Sequence, residues 1–88
     1  MLKKIFIIEE SFRIKGRGLI IVREKPDKSF ELGMKTPLII ISPDGKEISA
    51  KVVGIEMLSP PNFKIEAISI GDFSKSDVPI GSTVYVDE

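Results

Sequence analysis

The chain has few side chains able to make or break bonds. Its 88 residues include no cysteine and no histidine, which removes the thiolate nucleophile, the commonest metal ligand and the usual general base near neutrality. A nucleophilic serine at Ser11, Ser42 or Ser69 would therefore need a lysine as its base. The adjacent carboxylates Glu9/Glu10 and Asp87/Glu88 lie on strand-like sequence, where neighbours point to opposite faces, so neither pair shares a site. Asp44-Gly45-Lys46-Glu47 lacks the alternating oxygen ligands of a calcium loop. A phosphate-cradling loop needs Gly-x4-Gly-Lys-[Ser/Thr], whereas here Gly45-Lys46 is followed by Glu47. The expectation is a non-enzyme with no metal, nucleotide or other cofactor.

Chemistry of binding is better represented. Residues 12–18 read FRIKGRG, and all three arginines fall at Arg13, Arg17 and Arg23. Formal net charge is zero, yet residues 1–28 carry eight basic against four acidic side chains, and from residue 43 onward the ratio is four to eight. Arg13, Lys15 and Arg17 stand at odd positions opposite Phe12, and Arg23 and Lys25 follow on the next strand. Arginine presents a planar fork suited to phosphate or carboxylate, so this stripe fits contact with RNA or with an acidic protein face. The competing reading is a solvated outer face balanced by Glu9, Glu10 and Glu24 across a hairpin. Gly16 and Gly18 supply the positive φ of a bend, which throws Arg17 outward at the corner.

The elements that must carry these residues are strands. Residues 3–14 read as one long strand, bulged near Glu9–Ser11, with Phe6, Ile8, Phe12 and Ile14 on one face. Leu19–Val22, Leu38–Ile41, Ile48–Ile55, Ile65–Ile70 and Thr83–Val86 follow. Turn residues separate them: Pro26-Asp27-Lys28-Ser29, Pro43-Asp44-Gly45, and Pro60-Pro61, which cannot donate to a ladder. The one helical signal is a single turn at Phe73–Val78, capped by Ser74 or Ser76. IFII, LIIV and LIII are apolar on successive residues, so both faces of those strands are covered, by the core or by a partner. The pattern predicts an all-β domain spanning 1–88, an antiparallel barrel or sandwich. The four-residue apolar run after MLKK is closed by two glutamates, too short for a signal peptide, and no apolar stretch spans a membrane. A cytoplasmic location is expected.

The order of landmarks resembles the second domain of translational GTPases such as elongation factor Tu. Its signature is Phe-x-Ile-x-Gly-Arg-Gly before an aliphatic strand, here Phe12 to Val22. A turn ending in glycine (Phe30-Glu31-Leu32-Gly33), Gly54-Ile55-Glu56-Met57, Gly71, Asp77-Val78-Pro79 and Gly81-Ser82-Thr83-Val84 follow in order. The resemblance implies a six- or seven-stranded antiparallel β-barrel, present without the nucleotide-binding domain. It also implies binding to RNA or to a ribosome-associated surface, with Arg13, Lys15, Arg17, Arg23 and Glu56 as the contact residues. The chain departs from that pattern at Val22-Arg23, at Ser59 in place of an arginine, and at Pro60-Pro61-Asn62-Phe63, so aminoacyl-end binding is not carried over. The alternative is a protein–protein module, a homo-oligomer or accessory subunit docking through the outer faces of LIII and LIIV.

Overall fold

A computed structural model describes residues 1–24, 33–57 and 65–87; the side chains of residues 24, 56, 57 and 65 are outside that description. The expected turn at Pro26–Ser29, the Pro60-Pro61 stop, Phe30–Leu32, Lys25 and Phe63 also lie outside it. Eight strands run in order: β1 Leu2–Ile7, β2 Glu10–Ile14, β3 Gly18–Glu24, β4 Pro37–Ile41, β5 Glu47–Lys51, β6 Gly54–Met57, β7 Ile65–Ser69 and β8 Thr83–Asp87. They form two antiparallel four-stranded sheets, β1-β8-β4-β5 and β2-β3-β7-β6. There is no helix among the described residues.

This architecture is all-β, as the sequence predicts, but no closed barrel is found. The expected count of six or seven also changes, because two runs read as single strands are each divided between the sheets. Residues 2–14 break at Ile8-Glu9, and residues 47–57 break at Val52-Val53. Both breaks are anchored rather than loose. Ile8 donates its amide to Ser82 O at 2.8 Å and accepts from the Gly81 amide at 2.8 Å, while the Val52 amide donates to Thr36 O at 2.9 Å. Both aliphatic side chains are fully buried, so each corner is pinned by apolar burial as well as by hydrogen bonds. Chains that switch sheets at such bends are how two packed sheets close their corners.

The first break also reverses the facing of β2. The alternation predicts Phe12 and Ile14 on the core face with Ile8. Instead Ser11 is buried, while Phe12 and Ile14 are 38% and 37% exposed. One residue gained or lost at a bend shifts the two-residue period by one and turns every side chain over. In β3, Leu19 and Ile21 face inward to meet Leu38, Ile40, Val52, Ile68, Ile70, Val78, Val84 and Val86. Burial of such side chains contributes roughly 1.5–3 kcal/mol each, so this set is the main stabiliser.

The turns follow their residues. Gly45, at φ 92, lets its amide reach Ser42 O at 2.9 Å, and Ser42 Oγ bonds the Asp44 carboxylate and accepts from the Lys46 amide at 3.0 Å. At the expected helical turn, Ser74 is the capping residue. Its Oγ accepts from the Asp77 amide at 3.1 Å, and Asp77 Oδ2 accepts from the Ser74 amide at 2.9 Å. This reciprocal box holds one turn that goes no further, and it delivers Val78 fully buried to the core.

Candidate binding surface

The cationic corner is assembled differently from the stripe the sequence suggests. Arg13 pairs with Leu19 in the β2–β3 ladder, on the inward face but at the rim. It clamps the segment after β7, with Nη2 at 2.6 Å from Asp72 Oδ1 and Nη1 donating to Phe73 O at 3.0 Å. Arg23 is inside. Its side chain and that of Glu66, its direct partner across β3–β7, are 2% and 4% exposed. Nε and Nη2 lie 2.8 and 2.7 Å from Glu66 Oε1, and the guanidinium carbon stands 5.4 Å from the Phe6 ring centroid. The inward alternation Leu19, Ile21, Arg23 forces this position, and a carboxylate and an aromatic face make it tolerable. Lys15 and Arg17 are exposed at the bend. Glu56 pairs through its backbone with Ala67 in β6–β7; its side chain lies outside the description.

On the opposite face of β3 the second sheet carries a hollow of about 600 Å³, lined by Phe12, Ile14, Ile20, Val53, Ile55 and Ala67, with Gly16, Arg17, Gly54 and Ser69. Its shape follows from one row of the ladder: Phe12 opposite Ile20, Ile20 opposite Ser69, Ser69 opposite Gly54. Side-chain size falls along that row from aromatic to none, so the floor sinks toward β6. Ile20, Ala67 and Ser69 form a buried floor, while Phe12, Ile14 and Val53 stand exposed at the rims. Ser69 Oγ donates to Arg17 O at 2.7 Å, which ties the floor to the glycine bend and uses the hydroxyl's proton. The hollow thus presents mostly apolar side chains, with Arg17 joined to its floor through the backbone carbonyl.

Of the sequence-derived contact residues, the structure brings Arg17 to this hollow and leaves Arg13 and Arg23 in intramolecular pairs. The apolar rims at Phe12, Ile14 and Val53 are the part that sequence reasoning missed. A signal was present in β7, where Ile65-Glu66-Ala67-Ile68-Ser69 puts small residues on one parity in an otherwise large-residue strand.

A second, smaller hollow of about 270 Å³ lies between the β4–β5 turn and the capped turn, near Asp44 and Asp77. Hydrogen bonding from the Ser42 hydroxyl holds the Asp44 carboxyl below its ordinary range, and the Ser74 amide and then its hydroxyl do the same for Asp77. Both are held as carboxylates at neutral pH, the opposite of a general acid raised toward neutrality. Among the described residues no group of three or more Asp, Glu, His or Cys side chains is placed to hold a metal ion. Searches against protein families, curated proteins and solved structures returned no match to this chain.

Proposed function

We propose that the chain is a non-catalytic binding module that works by protein–protein contact through the outer face of the β2-β3-β7-β6 sheet. The observation that carries this reading is the apolar hollow with Phe12, Ile14 and Val53 exposed around it. Concave apolar surface with a few placed polar groups is the usual form of a binding site. In this reading the partner meets the outer face of LIIV at Ile20, where the larger hollow lies; the outward residues of LIII, Ile39 and Ile41, are half-buried and line neither hollow.

Binding to RNA or the translation machinery, expected from the resemblance to translational-GTPase barrels, is the second reading. The exposed pair Lys15 and Arg17 at the glycine bend favours it. Against it, Arg13 and Arg23 are engaged by Asp72 and Glu66, and phosphate binding draws on a larger positive surface.

Affinity capture with and without nuclease separates the two, using the intact chain and an Ile14→Glu variant as baits. The protein–protein reading expects retention that survives nuclease and moderate salt and is lost with Ile14→Glu. Retention that disappears on nuclease treatment, fades steeply with salt and is indifferent to Ile14→Glu would overturn it.

A further inference from the structure

We infer that the chain pairs with a second copy of itself through the outer edge of β5, joining the β1-β8-β4-β5 sheets of the two copies into one continuous antiparallel sheet. This surface is separate from the hollow, which lies on the other sheet. β5 is an end strand, and among the described strands it pairs with β4 alone.

The backbone fixes which groups face that edge. At one end of the β4–β5 ladder the Ser42 amide donates to Lys46 O at 2.9 Å, and at the other the Val52 amide donates to Thr36 O at 2.9 Å. Bonding alternates along an antiparallel ladder, so the even-numbered Ile48 and Ala50 turn their amides and carbonyls to β4. The odd-numbered Glu47, Ser49 and Lys51 turn theirs to the outer edge. Pro37 agrees with this phase, since it stands opposite Lys51, where no amide is required between the strands.

Charge decides what fits there. The side chains of Glu47, Ser49 and Lys51 share the exposed face, while Ile48 and Ala50 are half-buried against the core. Turned about a two-fold axis at Ser49, a second β5 sets Glu47 opposite Lys51 and Lys51 opposite Glu47, with Ser49 opposite itself. Every one of these is a hydrogen-bonded pair, because all three residues present amide and carbonyl outward. The same register lays Ile48 beside Ala50 on the core face, and opposite charges across the strands are favourable. A register centred on Glu47 or on Lys51 would set like charges opposite. Among the described residues neither Glu47 nor Lys51 is held in an ion pair of its own.

The other three end strands lack this self-match. β1 has Lys3 and Lys4 and no acid; β2 has Glu10 and Arg13 at a spacing that puts them on opposite faces; β6 has Glu56 and no base. Unmatched charge on an edge is how sheets avoid joining, which makes the matched edge of β5 the exception. An unrelated extended peptide would use the same main-chain groups, but it would have to bring the charges that β5 already carries.

The test is sedimentation equilibrium of the intact chain, with each variant verified as folded by circular dichroism. The parent should show a reversible monomer–dimer equilibrium. Glu47→Lys turns both cross-strand pairs into like pairs and should weaken the dimer about tenfold or more, as should Lys51→Glu. An equimolar mixture of the two variants should associate as tightly as the parent, because an all-basic edge then meets an all-acidic one. Hydrogen exchange at the Glu47, Ser49 and Lys51 amides should slow as concentration rises. A parent that stays monomeric at millimolar concentration would overturn the inference, and so would a dimer indifferent to Glu47→Lys. A variant mixture that stays monomeric would overturn the register about Ser49. A dimer broken by Ile14→Glu but not by Glu47→Lys would assign self-association to the hollow and overturn the β5 contact.

Discussion

At the scale of single residues, the Arg23–Glu66 pair is the least expected feature. Two charges withdrawn from water are tolerated only while they satisfy each other. Arg23→Met or Glu66→Leu alone should therefore cost about 3–5 kcal/mol in urea denaturation, because each strands a buried charge. The double variant Arg23→Met/Glu66→Leu should recover most of that loss, and failure to recover would show that the pair itself stabilises the fold. Asp77 is a second residue with a measurable signature. Its folded pKa is lowered from 3.8 by the Ser74 hydrogen bonds, so its contribution is complete above that value and is lost as pH falls through the lower folded one. Asp77→Asn should accordingly be less stable than the parent at neutral pH, with the gap closing below 3.8. A pH-independent gap would assign the loss to something other than the carboxylate charge. Neither pairing is visible in sequence. Arg23 reads as one more cation in a basic stretch, and its burial depends on a residue 43 positions away.

The elements were legible as strands and illegible as a path. β-branched runs and Gly/Pro punctuation locate β3, β4 and β8 within a residue or two, and Pro43-Asp44-Gly45 gives its turn outright. Periodicity says nothing about which sheet a strand joins, so the breaks at Ile8-Glu9 and Val52-Val53 were merged into longer strands. By alternation alone, Phe12 and Ile14 consequently read as core. The glycine bend is the element whose sequence and geometry agree most closely. Gly16 and Gly18 have φ of 87° and 85°, but they differ in surroundings. A Cβ on Gly16 meets nothing within 4 Å, whereas one on Gly18 would lie 2.1 Å from the Gly71 carbonyl oxygen, which also accepts from the Leu19 amide. Gly16→Ala should cost about 1–2 kcal/mol, the left-handed backbone alone. Gly18→Ala should cost on the order of 3 kcal/mol or more, because backbone must move. Equal losses in thermal or urea unfolding would show that the close approach to Gly71 is not what requires glycine.

At the scale of the whole molecule, the segregated charge of the sequence does not become a segregated surface. Arg13 from the basic third is tied to Asp72 from the acidic half, and Arg23 to Glu66, so much of the asymmetry is consumed in joining the two halves. What the second sheet leaves exposed around its hollow includes the apolar Phe12, Ile14 and Val53. Replacing Phe12 by Ser at the rim should cost no more than about 2 kcal/mol while abolishing partner retention, since a residue 38% exposed contributes less than a core phenylalanine. A large loss of stability would place Phe12 in the packing instead. The order of the first sheet carries a further consequence. β8 lies between β1 and β4, so β1 has no strand partner until β8 has been synthesised. At about 5–20 residues per second of synthesis, the nascent polypeptide spends several seconds with its N-terminal strand exposed and unpaired. The first sheet closes only once β8 is made, and a chaperone acting on this chain would have to shield β1 for the whole of that interval.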